Sequence, residues 1–377
     1  MIKLIFIVLL FLISLLAVFK APAYYLWLLA IGVTEYPLIF AAITTAFLIA
    51  GIWLQKYQVA CTVLGVLALV LFLSPIVRSY VVASSLKQNF VAAFGPGSAA
   101  VHGDSTQAPF SFFKLFGSTP EVKYSTITYN TDKGVPLSLD FYPASVGGKR
   151  PCVIVVHGGS WSSGDSKQLP QLNSYLAAQG YNVAAINYRM APKYKTPAPV
   201  EDIREAIAYL KKHAEELHVD RTKLVLLGRS AGAQIALLSA YTQKEPGLRG
   251  VVDFYGPADM VWGYSLPASP LIMDSRKVMR NYIGGAYDDV PQKYVACSPI
   301  EFVNRQTVPT LIIHGDNDVL VSPEHSRRLN EKLRRNGIKH YWLKLPWATH
   351  GFDFNLNGPG GQLSTYAVER FINTVTK

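Results

Sequence analysis

Leu224-Val225-Leu226-Leu227-Gly228-Arg229-Ser230-Ala231-Gly232-Ala233 reads as a short apolar strand that runs into Gly-x-Ser-x-Gly and then, without a spacer, into a helical pattern. This is the signature of a nucleophile elbow: a strand, a sharp strained turn carrying a serine, and a helix. Gly228 and Gly232 let the flanking backbone pass closely, and Ala231 adds little bulk. Ser230 is the candidate nucleophile, held beside a helix N-terminus. The motif alone is weak, since Gly, Ser and Ala are common. It gains weight from an oxyanion loop upstream and from an acid and a histidine downstream, in that order.

All three are present. His157-Gly158-Gly159-Ser160-Trp161 follows the apolar run Cys152 to Val156. Two glycines without side chains let backbone N–H groups point at a developing oxyanion, so Gly158 and Gly159 are candidate donors, with the N–H of Ala231 as their partner. A plain glycine turn is the competing reading, and His157 reads as a structural hydrogen-bonder. His314-Gly315-Asp316-Asn317-Asp318 follows the run Thr310 to Ile313, at a strand end where sites form in open sheets. Spacing leaves both carboxylates open. Asp318, deeper in the loop, is chosen as the acid and Asp316 as a brace for the turn. Thr349-His350-Gly351 comes after the last strand pattern, and His350 is the candidate general base. His213, His218 and His340 lack such context and read as surface or structural groups.

Outward from the elbow, strand and helix patterns alternate. Strands are expected at Val122 to Tyr129, Leu137 to Tyr142, Cys152 to Val156, Tyr181 to Tyr188, Lys223 to Leu227, Gly250 to Tyr255, Thr310 to Ile313 and His340 to Leu345. The first two are joined by a turn at Asp132-Lys133-Gly134. Helices are expected at Lys167 to Gln179, Pro199 to His213, Ala233 to Thr242, Pro323 to Asn336 and Thr365 to Thr374. Apolar strands alternating with helices define an α/β class with a mostly parallel sheet covered on both faces. An irregular insertion, Pro257 to Asn304, carries Met260, Trp262, Tyr264, Leu271, Met273 and Tyr282. These side chains either cap a site or pack a surface excursion. Trp161 and Trp262 are the candidate pocket residues, suited to a modest apolar substrate.

The chain before residue 78 is of another kind. Ile2 to Phe19, about Tyr36 to Leu54 and about Val59 to Leu73 are apolar runs close to the roughly 20 residues that cross a bilayer as a helix, and none has a polar face. A cleaved signal peptide ending near Ala21-Pro22-Ala23 is the alternative for the first. Tyr24 to Val33 is short and suits a membrane interface. Lys3 and Lys56 on the inside place the catalytic part on the extracytoplasmic side. Of 377 residues, half are hydrophobic and 16% are charged, and the net charge of +11 comes without a basic tract. That argues for attraction to anionic lipid and against nucleic acid. Three cysteines are too few for a disulfide framework, and Cys297, whose exposure the sequence leaves open, has no evident partner. No metal-ligand spacing or cofactor motif is found. The expected organisation is a transmembrane region over 1–77, a linker over 78–119 and a catalytic domain over 120–377 with its insertion at 257–304. Phe110, Phe112, Phe113 and Phe116 are expected to pack the linker onto the domain, with an apolar flap as the alternative.

From about Val122 onward the chain resembles the α/β-hydrolases of the carboxylesterase and hormone-sensitive-lipase kind. The elbow, the glycine loop, Tyr188-Arg189-Met190-Ala191-Pro192 and Pro199-Val200-Glu201-Asp202 carry the likeness. It is nearest to the branch of feruloyl-esterase-like and kynurenine-formamidase-like proteins, since the loop is His-Gly-Gly-x-Trp with Ser160 where the lipase motif has a third glycine. The resemblance implies a triad of Ser230, Asp318 and His350, oxyanion donors at Gly158, Gly159 and Ala231, an acyl-enzyme, and no cofactor. Arg229 departs from the Glu or Asp common at that position. Arg189 with Asp202 or Glu201 reads as a buried structural pair. The expected function is a membrane-anchored serine carboxylic ester hydrolase acting on a small-molecule or lipid-like ester. An arylformamidase-like amidase and an acyltransferase would use the same triad, and a non-catalytic binding module is the alternative from another class.

Overall fold

Eight strands form one sheet in the order β1-β2-β4-β3-β5-β6-β7-β8. They are β1 (Ser125–Asn130), β2 (Leu137–Tyr142), β3 (Arg150–Val156), β4 (Asn182–Ile186), β5 (Val219–Arg229), β6 (Leu248–Phe254), β7 (Thr310–Gly315) and β8 (His340–Leu345). The computed structural model describes residues 2–50, 57–98, 107–131 and 134–377. Only β2 runs antiparallel to both its neighbours; from β4 to β8 every pairing is parallel. Central strands are buried on both faces, which is why Val153, Ile154, Val225 and Leu226 show no alternation with polar residues.

Twelve helices accompany the sheet among the described residues. The N-terminal four are α1 (Ile2–Ser14), α2 (Tyr24–Glu35), α3 (Pro37–Ala50) and α4 (Gln58–Phe94). Then come α5 (Pro170–Ala178), α6 (Ala198–Lys212), α7 (Ala231–Thr242), α8 (Met260–Ser265), α9 (Ser275–Ile283), α10 (Pro291–Ala296), α11 (Glu324–Arg335) and α12 (Pro359–Val375). One face of the sheet buries Ile203 of α6, Ile235 of α7 and Leu329 of α11. The other buries Leu176 of α5 and Phe371 of α12. Burying such a side chain contributes about 1.5–3 kcal/mol each. The last helix starts at Pro359, ahead of the expected Thr365, because Gly360 and Gly361 hide its first turn from a pattern of apolar residues.

The N-terminal region differs from the expectation in three respects. First, α4 does not stop at Arg78. It runs on to Phe94, and Leu86 and Phe90 are fully buried against the same face as α5 and α12, so the first part of the expected linker, through Phe94, is helix packed on the sheet. The turn-rich composition of that stretch begins only at Gly95. Second, Tyr24 to Val33 is part of α2, whose C-terminal end is buried, and it packs against the domain. Third, α4 is the one described helix long and apolar enough to cross a membrane. The pair α2 and α3 meets the same test together, bent by 88°, and Lys3–Ala17 is shorter. Among the described residues the three apolar runs thus give one helix long enough to span alone, one bent pair and one shorter helix. The Lys56 loop and the Asp132-Lys133 turn lie outside the described residues. Of the phenylalanines, Phe110 is buried edge-on to Tyr80, while Phe113 and Phe116 are exposed. Cys297 is buried, because its thiol packs from the insertion against Thr196 and Gln234 of the hydrolase core.

Candidate active site

Ser230 sits between β5 and α7 with φ 53° and ψ −121°, a left-handed conformation that a serine adopts only when its surroundings impose it. The glycines make this possible. A Cβ on Gly232 would lie 2.3 Å from the carbonyl oxygens of Val156 and His157, and one on Gly228 would lie 2.4 Å from the α7 backbone. The elbow is thus pressed against the end of β3, which brings the glycine loop beside the serine.

Three predicted residues meet there. His350 Nε2 lies 3.0 Å from Ser230 Oγ, and His350 Nδ1 lies 2.7 Å from Asp318 Oδ2. Asp318 Oδ1 accepts the N–H groups of Leu320 and Val321, both at 2.9 Å. Burial alone would raise the Asp318 carboxyl, but His350 and His314 outweigh it and hold the group below the usual carboxylate range. Asp316 is exposed and its carboxylate takes no part, so of the two candidate acids only Asp318 reaches the histidine. His314, which opens the motif that holds both acids, carries no role in the sequence reading. Its Nε2 faces both Asp318 Oδ2 at 3.1 Å and the carbonyl of Val321 at 3.0 Å, while Nδ1 lies 2.6 Å from Ser326 Oγ. Two acceptors at Nε2 require that nitrogen to carry the proton, so His314 braces the carboxylate as a donor.

The glycine loop is more constrained than its sequence suggests. The N–H of Gly158 donates to Gln168 Oε1 at 2.7 Å, so it is committed and cannot serve an oxyanion, contrary to the expectation. Gly159 (φ 117°) and Ser160 (φ 54°) then turn the chain through left-handed conformations. No described acceptor takes the N–H of Gly159 or of Ala231, which leaves those two of the three expected donors free beside Ser230. His157 stacks on Tyr188 at 4.3 Å and its Nδ1 donates to Gly158 O, a structural role. Burial lowers its pKa. Nothing in the sequence pointed to Gln168, because a helix-preceding glutamine carries no pattern.

A cavity of about 540 Å³ opens over Ser230. Trp161 forms part of its wall, with its indole N–H donating to Gln234 Oε1 at 2.9 Å and its ring stacked on Tyr282 at 4.6 Å. Trp262 is not in the wall. Its ring lies edge-on to His325 with Arg328 over its face, in a separate groove on the far side of α8. The insertion instead supplies Met260, Leu266, Met273 and Met279. His325, also in the wall, is kept neutral by burial, its pKa pushed down to about 3. Lys20, Ala21 and Pro22 complete the wall from the N-terminal region. Arg189 is buried and pairs with Asp202 (Nε–Oδ1 2.8 Å) and Glu201 (Nη2–Oε2 3.0 Å), away from the cavity.

A strand–Ser–helix elbow at the C-terminal edge of a parallel sheet, with an acid after β7 and a histidine after β8, defines an α/β-hydrolase. The sequence profile of the BD-FAE family matches residues 139–333. The chain belongs to this family of carboxylesterase-like α/β-hydrolases. It is 32% identical to Esterase LipC of Mycobacterium tuberculosis over 60% of this chain and 58% of that protein. It is 29% identical to Esterase LipQ of the same organism, over 55% and 51% respectively. The chain thus spans between half and three-fifths of these curated relatives. Among solved structures, the Est2 esterase of Thermogutta terrifontis aligns with TM-score 0.52 and 24% identity, covering 61% of this chain and 84% of that one. A truncated carbohydrate esterase from gut microbiota aligns with TM-score 0.55 and 21% identity, over 67% and 100%. At these identities the structures speak for the fold.

Proposed function

We propose that the protein is a membrane-anchored serine carboxylic ester hydrolase. The observation that carries this reading is the unbroken hydrogen-bond line Ser230–His350–Asp318 at the floor of an apolar cavity. Its esterase relatives support the reaction class. His350 takes the Ser230 proton as Oγ attacks the ester carbonyl, forming the acyl–oxygen bond of a tetrahedral intermediate. The N–H groups of Gly159 and Ala231 receive its oxyanion. Collapse breaks the bond to the alcohol, which leaves with the proton from His350. Water, deprotonated by His350, then cleaves the acyl-enzyme to the acid and regenerates Ser230. Asp318 holds the tautomer and stabilises the imidazolium. Every step is supplied by side chains and backbone of this chain.

Anchoring rests on the apolar helices. Residues 1–77 form the membrane part in this reading. Val59, Val63, Val66 and Val70 of α4 are exposed in a row that water would not favour. The hydrolase part, residues 120–377, then lies on the extracytoplasmic side, with Arg78–Phe94 of α4 built into its covering. The test is hydrolysis of p-nitrophenyl acetate, butyrate and octanoate by the full-length protein in detergent, beside Ser230→Ala. Turnover in the wild type that disappears in the variant is expected. Equal turnover in both would remove Ser230 from the reaction.

A further inference from the structure

The segment after α1 and the first turn of α2 are fastened to the hydrolase at several points. Val18 O accepts from Asn317 Nδ2 at 3.1 Å, and Trp27 Nε1 donates to the backbone oxygen of His350 at 3.0 Å. The N–H of Tyr24 donates to Leu271 O at 3.0 Å, which ties this segment to the insertion. Farther along, Glu35 O accepts from Asn355 Nδ2 at 2.8 Å and Glu35 Oε2 from the N–H of Gly360 at 2.9 Å. A mere tether would make none of these bonds. The apolar N-terminal region is a wall of the cavity that holds Ser230.

The rim of that cavity is equally telling. Phe19 is 61% exposed and Tyr25 81% on one side, Leu266 61% and Leu271 70% on the other. Leu266 lines the cavity itself, Phe19 directly precedes the lining residues Lys20–Pro22, and Leu271 lies between the lining residues Ser269 and Ile272; the Tyr24–Leu271 bond joins the two segments, 18–25 and 266–273. Within residues 3–23, the stretch leading from α1 to the wall, the charged side chains are Lys3 and Lys20, and Lys20 is exposed at the mouth. Apolar surface therefore continues from α1 to the opening of the cavity, with a cation where phospholipid headgroups would lie. Exposed apolar side chains of this kind around a catalytic opening mark contact with a partner, and the helix they adjoin names the partner as lipid.

We infer that the substrate is a long-chain ester dissolved in the bilayer, which enters sideways over the apolar edge formed by the joined segments 18–25 and 266–273, so that its acyl chain passes from lipid into the cavity without crossing water. This rests on the ester hydrolysis proposed above. The test uses the full-length protein in phosphatidylcholine vesicles holding 4-methylumbelliferyl palmitate, with soluble p-nitrophenyl acetate as a second substrate. Palmitate turnover is expected to follow the mole fraction of ester in the bilayer, falling about tenfold when the ester is diluted tenfold with phosphatidylcholine at constant total ester. Turnover that ignores this dilution overturns the inference while acetate turnover leaves the hydrolase reading standing. Failure to turn over either ester overturns both. Tyr25→Asp together with Leu271→Asp, or either alone, is expected to lower the palmitate-to-acetate rate ratio tenfold or more, with acetate turnover reporting that the site is folded. An unchanged ratio would also sink the proposal.

Discussion

Arg229, the residue before the candidate nucleophile, and Asp353, three residues after His350, form a buried ion pair with Nε and Oδ2 2.5 Å apart. Tyr255 donates its hydroxyl to the other oxygen of Asp353 at 2.5 Å, and its ring lies 4.3 Å from that of His350. The pair joins the elbow to the histidine loop from behind, and it gives the Arg229 side chain a buried counter-charge on that loop. Removing one partner leaves a buried charge alone, at a cost of about 3–5 kcal/mol. Arg229→Met and Asp353→Leu are each expected to lower the denaturation midpoint strongly. The double variant should lose less than the sum, because no charge is then left unpaired. Urea denaturation of the four proteins forms the cycle. Strict additivity would show that the contact carries no coupling.

Asp318 is expected to act through its charge and its grip on the His350 tautomer. Asp318→Asn keeps the shape but allows the amide to donate toward Nδ1, favouring the wrong tautomer. A loss in kcat on the order of 10⁴-fold is expected, with KM little changed. The folded-state pKa of Asp318 lies below its unfolded value, so the carboxylate contributes stability that is fully present above about pH 4 and is lost as pH falls through the lower folded value. The wild type and Asp318→Asn should therefore converge in stability under strong acid and differ near neutrality. A parallel offset at every pH would contradict this.

Much of the fold was legible because burial on both faces writes each central strand as an unbroken apolar run. The elbow was legible for a related reason: Gly228 and Gly232 stand where a Cβ would strike backbone, so the sequence has little freedom there. What stayed hidden depends on the surroundings of a residue rather than its type. Gln168 takes the N–H of Gly158, and Trp27 reaches His350 across 323 positions of chain. Neither leaves a local pattern. Trp262 and Leu86 show the opposite error. An aromatic in an insertion suggested a pocket but lies behind it, and the Gly, Pro, Ser and Ala content between Arg78 and Thr119 suggested a linker although Leu86, on the helix within it, is core.

Asp253 of β6 offers a second pH-dependent test, independent of the reaction. Its Oδ1 accepts from the N–H of Gly256 at 2.7 Å, and burial, only partly offset by His314 and that bond, pushes its pKa up to about 7. A carboxyl with a raised folded pKa binds its proton more tightly in the folded state. Its effect is absent below the unfolded value near 4, and folding stability falls as pH rises from there to about 7, by a few kcal/mol in total. Asp253→Asn keeps the acceptor for Gly256 and cannot ionise. The variant is expected to melt higher than the wild type at pH 8, with the gap closing at pH 4 to 5. A gap that does not depend on pH would show that Asp253 does not titrate in this range.

Gly159 gives the sharpest separation of folding from chemistry. Its φ of 117° suits glycine, and a Cβ there would lie 2.0 Å from Ser163 O, so Gly159→Ala must push the loop off the position it now holds. The clash is confined to the turn Gly159–Ser163, whose Ser162 and Ser163 are exposed, while His157 and Trp161 keep their stacking partners, so the thermal midpoint is expected to fall by only a few degrees. The N–H of Gly159, however, has no acceptor among the described residues and is a proposed oxyanion donor, and displacing one such donor costs on the order of 10²- to 10³-fold in kcat. Binding of a short ester, held by the apolar wall, should change little, so KM stays near the wild-type value. Kinetics with p-nitrophenyl butyrate and a melting curve on the same preparation make the comparison. If kcat survives while the midpoint collapses, Gly159 is a folding residue and the oxyanion must be held by other donors.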